Sequence, residues 1–377
     1  MKANVLKTGG KRSDSRNDRS LGIQTYGEHN DYPQRCKEIS DASGTGKSCL
    51  KIYAKFIGGR GFSDKSFYSA VVNRQGQTND YLLTQIAKDY ADYGGFALHV
   101  NYNGLCEVVE VQHVPFETIR FEKLDDSGTF HRAAIHPDWG RRSQALRRFK
   151  KEDVRFFSLF NPAPEVVMLQ AEEAGGFEAY GGQLYYYSEA GIKAYPTPLY
   201  DSVLTDMSTE EGIANVKYRN ARNGFMPAGM IVDKRNKSQD ERQESDLEQT
   251  FLQFQTDENA CKLVLVETES EEEIPEFISL ETKNFDKEFD YSESSVQQNI
   301  GRSFNQPPIL RAEDVGGNFG AELITNAYSY YNAITETERL NIERVFEEVY
   351  KYYEKPINLT GSYSIAPLSY ISDANND

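Results

Sequence analysis

The segment nearest to a chemical motif is Gly44-Thr45-Gly46-Lys47-Ser48, within the stretch "ISDASGTGKSCL". A phosphate-binding P-loop has the pattern G-x-x-x-x-G-K-[ST], in which backbone N–H groups and the lysine contact phosphate oxygens and the hydroxyl binds Mg²⁺. Gly46, Lys47 and Ser48 fit this pattern. Asp41, however, occupies the position of the first glycine, and its carboxylate would repel phosphate oxygens.

A P-loop must also join a buried strand to a helix. The preceding stretch "GEHNDYPQRCKE" contains no apolar run that would form a strand. Two short helices are expected between 33 and 58, the second carrying an apolar stripe that ends at Gly58-Gly59. Short apolar runs end at Asp233 and Glu267, where an acid would mimic the Mg²⁺-side partner, but such runs are common by chance. The sequence therefore favours a Ser/Gly-rich helix start over a nucleotide site.

The other candidate chemistries are weaker. His131 and His136 near Asp138 would make at most a weak metal pair, and a surface turn is favoured there. The "GGRG" at 58–61 would cradle an anion in principle, but its place at a helix end favours a C-cap. No H-E-x-x-H or G-x-S-x-G occurs, and no pair of carboxylates is singled out. We therefore predict no catalytic residue, no metal and no cofactor.

Composition narrows the function classes further. The chain has 377 residues and a formal net charge of −16, with no dominant Lys/Arg tract. A sequence-reading DNA-binding protein usually has a basic face, so tight DNA binding is not expected, although DNA in passage would be compatible. Four scattered cysteines favour a reduced compartment. No apolar run reaches the length of about eighteen residues that a membrane span needs.

The elements that surround these motifs predict an α+β fold. "NDYLLTQIAKDYADYGG" has a polar start, an apolar stripe and a stop at Gly94, so it predicts a helix. "FALHVNYNGLCEVVEVQHV" predicts a hairpin that turns at Asn103-Gly104. "TIRFEKLDDSGTFHRAAIH" predicts a second hairpin, and "VRFFSLF" and "QLYYYS" predict two further strands. A β-rich layer over 96–190, flanked by helices, is typical of α+β proteins.

The second half of the chain returns to helical patterns. A helix with Ser208 or Thr209 as its N-cap is followed by two strands, "MPAGMIVD" and "CKLVLVE", which flank the polar helix "SQDERQESDLEQTFLQFQ". The glutamate run from Glu269 to Glu276 is interpreted as a solvated loop. An apolar stripe over 322–354, with one eight-residue step, predicts a single helix of roughly 50 Å. Such a length suggests an elongated subunit in an assembly.

The order of these motifs resembles a portal protein of tailed bacteriophages or prophages over nearly the full length of the chain. The resemblance is carried by "NDYPQRCKEISDASGTGKSCLKIYAKFIGGRGF", then "YRNARNGFMPAGMIV", then "SSVQQNIGRSFNQPPILRAEDVGGNFG" before the long helix. It implies a portal-type elongated α+β subunit with an α/β wing, a two-helix stem, a small α/β clip, a tunnel loop and a long C-terminal helix. The implied divisions are a flexible N-terminal arm (1–32), the wing (33–207), stem helices (208–224 and 284–306), the clip (225–283), the tunnel loop (307–321), and a long wing helix with a C-terminal tail and reduced crown (322–377).

The resemblance also implies a function without catalysis. Portal proteins of this kind form twelve-subunit rings at one capsid vertex, through which DNA is packaged and ejected. The implied partners are other copies of the chain, the terminase large subunit, a head-tail adaptor, major capsid or scaffold proteins, and double-stranded DNA bound non-specifically, with no membrane. The chain would be made in the bacterial host cytoplasm and reside in the virion. The alternatives are a P-loop-like NTPase of the packaging machinery, or another connector or minor capsid protein.

Particular residues follow from the resemblance. The cations expected to face a DNA channel are Lys217, Arg219, Arg222, Arg302 and Arg311. Ordinary surface charges or salt bridges between subunits are the alternative for each of them. The tunnel loop would contain Gly316, Gly317, Asn318 and Gly320, whose glycines would give it mobility or else simply turn the chain.

Overall fold

The computed structural model describes residues 15–18, 20–125, 129–139, 151–190, 194–222, 230–234, 264–268, 285–311, 320–358 and 360–370. They fall into two compact units, one of Met1–Leu204 with Ile300–Asp377 and the other of Thr205–Asn299. The helices are Tyr32–Ala42 (α1), Gly44–Gly58 (α2), Lys65–Ser69 (α3), Asn79–Tyr93 (α4), Pro164–Glu173 (α5), Leu204–Arg222 (α6), Phe285–Ser303 (α7), Ala321–Ile334 (α8) and Glu336–Tyr350 (α9). The strands are Asn17–Asp18 (β1), Ile23–Gln24 (β2), Gly95–Tyr102 (β3), Val108–Val114 (β4), Ile119–Phe121 (β5), Arg132–Ile135 (β6), Arg155–Leu159 (β7), Gln183–Ser188 (β8), Met230–Lys234 (β9) and Val264–Thr268 (β10).

The first unit is built around a six-stranded sheet in the order β4-β3-β8-β7-β6-β5. Neighbouring strands are antiparallel except β7 and β8, which pair in parallel at Ser158↔Gln183 and Leu159↔Leu184. The interior strand β3, between β4 and β8, is buried along most of its length, because α4 packs on it and its apolar run is nearly continuous. The mixed α+β class and the predicted strands over 96–190 are therefore confirmed.

The β3–β4 hairpin is confirmed, but its turn differs from the prediction. The residue with positive φ is Cys106 (φ 63), not Gly104. The Asn103 side-chain oxygen accepts hydrogen bonds from the backbone N–H groups of Leu105 (2.9 Å) and Glu107 (3.0 Å). That side chain organises a longer loop than the two-residue turn that Asn-Gly usually makes.

The helices α2 and α4 begin and end as their sequences predict. The Ser43 hydroxyl accepts from the Gly46 N–H at 2.9 Å, and the Thr78 hydroxyl accepts from the Tyr81 N–H at 3.3 Å, so each helix has a side-chain N-cap. Helix α4 stops at Gly94, whose left-handed conformation (φ 76) suits a C-cap glycine.

The prediction of one helix over 322–354 is wrong, because the chain breaks at Thr335 into α8 and α9. The buried Thr335 hydroxyl donates to the Tyr331 carbonyl (2.9 Å) and accepts from Arg339 Nη1 (2.8 Å). Arg339 Nη2 also donates to the Asn332 carbonyl (2.6 Å). Side chains thus satisfy carbonyls at the end of α8. The break lies within the eight-residue step of the stripe, and helix length no longer supports an elongated subunit.

The segment predicted as a flexible arm over 1–32 is packed in its second half. Strands β1 and β2 pair antiparallel, and Ile23 and Tyr26 are fully buried. Ile23 packs with Ala134 and Trp139. The few apolar residues of this polar stretch are sufficient to pack residues 20–32 against the core, because the free energy gained by burying them offsets the conformational entropy lost when the segment becomes ordered.

The second unit contains most of α6 and α7 together with β9 and β10. Helix α6 starts at Leu204, earlier than the predicted N-cap at Ser208 or Thr209, and the Thr209 hydroxyl instead donates to the Thr205 carbonyl inside the helix (2.8 Å). The two predicted strands are present and pair in parallel, from Met230↔Val264 to Lys234↔Thr268. The predicted polar helix between them and the glutamate run 269–276 lie outside the described residues.

Candidate functional site

The P-loop-like stretch is the junction of two helices. Helix α1 precedes it where a P-loop requires a strand, and Gly44 to Ser48 form the first turns of α2. Lys47 Nζ lies 3.0 Å from Asp41 Oδ1, so the lysine forms an exposed ion pair. The mixed sheet, with one short parallel pair among its described strands, also differs from the central parallel sheet that an NTPase predicts.

Nucleotide binding is tested directly by thermal unfolding. A site that binds MgATP with a Kd of about 10 μM would stabilise the protein by about 2.7 kcal/mol at 1 mM ligand, which raises Tm by several degrees. We expect a shift below about 1 °C, equal in the wild type and in Lys47→Ala. A shift of several degrees that Lys47→Ala abolishes would restore the NTPase alternative.

The other motifs have structural roles. Gly59 is the C-cap of α2 with φ 54, as predicted for "GGRG", and the Arg60 N–H donates to the Ala366 carbonyl at 2.7 Å. His131 Nε2 lies 2.7 Å from Asp125 Oδ2, while His136 Nδ1 accepts from the Asp138 N–H at 2.9 Å. Within the described ranges, no group of three or more His, Cys, Asp and Glu residues is arranged to hold a metal.

The predicted channel cations have different surroundings. Lys217 on α6 forms an ion pair with Glu293 on α7, within one chain. Arg302 is exposed in the last turn of α7. Arg311 is the last residue of a 3₁₀ turn over Pro308–Arg311. Its guanidinium packs against Gly301 of α7 so closely that a Cβ added to that glycine would lie 1.3 Å from Arg311 Nη1. The structure therefore brings Arg311 to the helix end that carries Arg302.

The remaining predicted residues are only partly described. Arg219 and Arg222 lie in α6, and their side chains are outside the described ones. Gly316, Gly317 and Asn318 also lie outside the described residues. Gly320 is the N-cap of α8 with φ −75, a conformation open to any residue, so this position does not require glycine.

A lysine-rimmed groove is the main feature that the sequence did not reveal. Its volume is about 910 Å³, and it lies among α1, α2 and α4. Lys47, Lys51 and Lys55 line it at four-residue spacing along α2, which places them on one side of that helix. This spacing within "GKSCLKIYAKFIGG" is the part that the sequence displays, because many of the other lining residues come from other segments. Those include Lys37 and Lys88, the carboxylates Asp41, Asp80 and Asp92, and the apolar Leu83, Ala87 and Leu368, whereas Leu50, Ala54 and Arg60 belong to α2 or directly follow it.

Asp92 is the unusual carboxylate of this groove. It also lines a smaller adjoining cavity of about 370 Å³, where the Asp89 carboxylate lies 2.7 Å from His113 Nε2 and accepts from the Phe116 N–H. The pKa of Asp92 is raised to about 7, mainly by burial and then by the nearby Asp89 charge, while Lys88 and Lys37 act in the opposite direction. Asp92 therefore gains a negative charge only near neutral pH.

This raised pKa predicts a pH-dependent cost to stability. Because the folded state holds the Asp92 proton up to about pH 7, the free energy of unfolding falls as the pH rises from about 4 to 7. Asp92→Asn removes the cost, so we expect about 1–3 kcal/mol of stabilisation at pH 8 and little change at pH 4. Urea unfolding at both pH values measures the difference. Asp41→Asn, at an exposed carboxylate of the same groove, is the control, and an equal effect from it would contradict the assignment.

The helices in the described ranges include none that is long and apolar enough to span a bilayer.

Comparison with known proteins gives a structural likeness only. No family model and no curated protein matches the chain. A chain from the neck of an empty gene transfer agent (GTA) particle, computed with C6 symmetry, superposes with a TM-score of 0.50 at 11% identity, covering 87% of this chain and 81% of that one. A chain from the native GTA virion gives 0.49 at 11% identity over 89% and 83% of the two chains. An HK97 family phage portal protein from Corynebacterium diphtheriae gives 0.41 at 12% identity over 85% and 91%.

The argument from these likenesses concerns the fold and rests on the first of the three. Because this superposition extends over 87% of the present chain, it includes residues of both compact units and is not limited to one of them. The chain therefore has the overall fold of a protein found in the neck of a gene transfer agent particle.

Proposed function

We propose that the chain is the subunit of a portal-type ring, through which double-stranded DNA enters and leaves a capsid. The observation that carries the proposal is the fold likeness to a particle-neck chain over 87% of this chain. The likeness agrees with the portal resemblance of the motif order, which was drawn from the residues alone. In this role the protein catalyses no reaction, and its function depends on the shape and charge of the channel that the ring forms.

The division of the chain follows the portal architecture. Residues 33–207 form the wing, and the two stem segments, 208–224 and 284–306, contain α6 from residue 208 onward and α7. The parallel pair of β9 and β10 belongs to the clip over 225–283. The segment 307–321 is the tunnel loop, and α8 and α9 take the place of the single long wing helix.

The negative charge of the subunit suits a channel that lets DNA move through it more than a site that binds DNA tightly. A formal charge of −16 per copy repels DNA at long range, so sparse cations give local contact without tight binding. Among the predicted channel cations, Arg302 is the best candidate for contact with DNA, because its side chain is exposed. Lys217 is weaker, since Glu293 already offsets its charge. Arg219, Arg222 and Arg311 complete the proposed set.

The proposed partners are those of a capsid vertex. Other copies of the chain form the ring, and the terminase large subunit, a head-tail adaptor and the capsid or scaffold proteins dock on it. The protein would therefore reside in the virion. The neck particle that shares the fold was computed with C6 symmetry, and a ring of several copies is compatible with that.

Native mass spectrometry of the purified protein tests the ring. We expect one closed assembly with a fixed number of subunits, because a heterologous interface that closes gives a single size. A ladder of open oligomers, or monomer alone across concentrations and salt, would contradict the proposal. Another connector or minor capsid protein is the alternative within the same class, and the shape of the assembly separates the two.

A further inference from the structure

The lysine-rimmed groove has an excess of positive charge in an acidic chain. Lys37, Lys47, Lys51, Lys55, Arg60 and Lys88 line it against three aspartates. Asp92 is one of these three, and its raised pKa leaves it partly protonated near neutral pH. A concave site with cations on its walls attracts anionic ligands locally, against the long-range repulsion from a chain that carries −16 as a whole.

Most of these cations are available to a ligand. Lys37 Nζ lies 3.0 Å from Glu117 and Lys47 Nζ lies 3.0 Å from Asp41, so these two are already paired. The other four lysine and arginine side chains of the groove are exposed and have no ion-pair partner among the residues that the structure describes. Two of them, Lys51 and Lys55, are one turn apart on α2.

The apolar part of the groove favours a peptide over a nucleic acid. Leu50, Leu83 and Ala87 line it but are almost fully buried, whereas Ala54 and Leu368, also in its lining, are only partly buried and present apolar surface to the groove. A ligand that fills the groove must therefore cover apolar surface as well as meet the lysines. A phosphate backbone has no apolar side chain to cover this surface. A peptide that combines carboxylates with apolar side chains meets both demands.

We propose that this groove docks an acidic peptide segment of a partner protein, with apolar side chains on the groove floor and carboxylates at Lys51, Lys55, Arg60 and Lys88. The volume of about 910 Å³ lies in the upper part of the range of roughly 300–1,000 Å³ that ligand sites occupy. The proposal goes beyond the ring function and does not depend on it, since the groove lies within one compact unit.

Fluorescence anisotropy tests the proposal with a defined probe. The probe is a fluorescein-labelled twelve-residue peptide of alternating Glu-Glu and Leu-Leu pairs, and a second peptide has Gln in place of Glu. We expect the acidic peptide to bind at least tenfold more tightly than the Gln peptide. The double variant Lys51→Glu/Lys55→Glu should weaken the acidic peptide at least tenfold, and raised salt should weaken it without abolishing it.

The matched control makes the same charge change elsewhere. Lys65→Glu/Lys123→Glu alters two exposed lysines that do not line the groove, and it should leave binding within twofold. Circular dichroism and Tm verify that both double variants are folded. Equal loss in the two variants, or no binding of the acidic peptide below 1 mM, would overturn the proposal. The proposal would also be overturned if a DNA duplex displaced the labelled peptide as strongly as the unlabelled peptide does. It would be overturned as well if the protein bound no peptide and the double variant Lys51→Glu/Lys55→Glu instead lost self-association.

Discussion

Arg120→Met is expected to lower the free energy of unfolding by about 3–5 kcal/mol. The Arg120 guanidinium is fully buried. It donates to the backbone carbonyls of Asn30 (2.9 Å), Glu117 (3.0 Å) and Ile119 (2.7 Å), and to the Asn30 side chain. A methionine leaves these carbonyls buried without their donor, at about 1–3 kcal/mol each, and the desolvation cost of the charge offsets part of that loss.

The same guanidinium also joins two parts of the core. It lies 5.5 Å from the ring centroid of Tyr26 and 5.6 Å from that of Trp139, which gives it cation–π contacts on both sides. No described carboxylate forms an ion pair with it, and burial lowers the pKa of Arg120 to about 10. It remains charged at neutral pH, so its stabilising role depends on carbonyl dipoles and aromatic faces.

Urea unfolding followed by tryptophan fluorescence measures this effect, because Trp139 is the single tryptophan of the chain. The midpoint is compared, since emission intensity changes with the substitution itself. Arg132→Met is the matched control: Arg132 is half-exposed and its pair with Glu122 contributes about 1 kcal/mol or less. Similar midpoints for the two variants would show that the buried network stabilises little.

Gly59→Ala is expected to destabilise by about 2–4 kcal/mol, because both its backbone and its surroundings exclude a side chain. Gly59 has φ 54, and a Cβ there would lie 2.2 Å from the Ala366 carbonyl oxygen. That oxygen accepts from the Arg60 N–H, and the Ala366 N–H donates to the Gly61 carbonyl at 2.9 Å. The substitution would therefore displace the C-terminal segment from the end of α2.

Gly44→Ala is the control for this substitution. Gly44 is the first residue of α2, and a Cβ there would meet no atom within 4 Å. We expect it to be neutral or to stabilise by up to about 1 kcal/mol through the unfolded state. Thermal unfolding compares the two variants, and limited proteolysis reports release of the segment around Ala366. Equal Tm values with equal cleavage would contradict the role of Gly59.

Much of the first unit could be predicted from local patterns. The apolar stripe Leu82, Leu83, Ile86 and Tyr90 is buried as its spacing requires, and β7 and β8 coincide with the aromatic-rich runs that predicted them. The parallel pairing of β7 with β8 could not be predicted, since it depends on how distant segments meet. The Asn103 loop differs from the predicted two-residue turn for another reason. Two hydrogen bonds to the Asn103 side chain stabilise a longer loop and outweigh the preference of Asn-Gly for a two-residue turn.

The break in the long helix shows where periodicity alone is insufficient. Arg339 reaches from α9 to the Phe56 carbonyl at 2.8 Å, and this contact holds the guanidinium beside Thr335. No local pattern encodes a bond to a residue so far away in the chain. The one indication of the break in the sequence is the missing apolar position between Ile334 and Ile342, which also fits a single helix with one irregular step.

The groove and the channel residues differ in what the sequence reveals. The groove combines α1, α2 and α4, so only the period of Lys47, Lys51 and Lys55 is visible before folding. The channel residues were drawn from the portal resemblance, and their orientation toward a channel stays a prediction. Lys217 pairs with Glu293 of the same chain, whereas the sequence suggested a channel-facing cation, an ordinary surface charge or a salt bridge between subunits.

Electron microscopy of the purified protein in negative stain tests the portal proposal most directly. The account predicts class averages of rings with rotational symmetry and a central hole wide enough to pass duplex DNA. Closed discs without a hole, or compact single subunits at every concentration and salt examined, would contradict it.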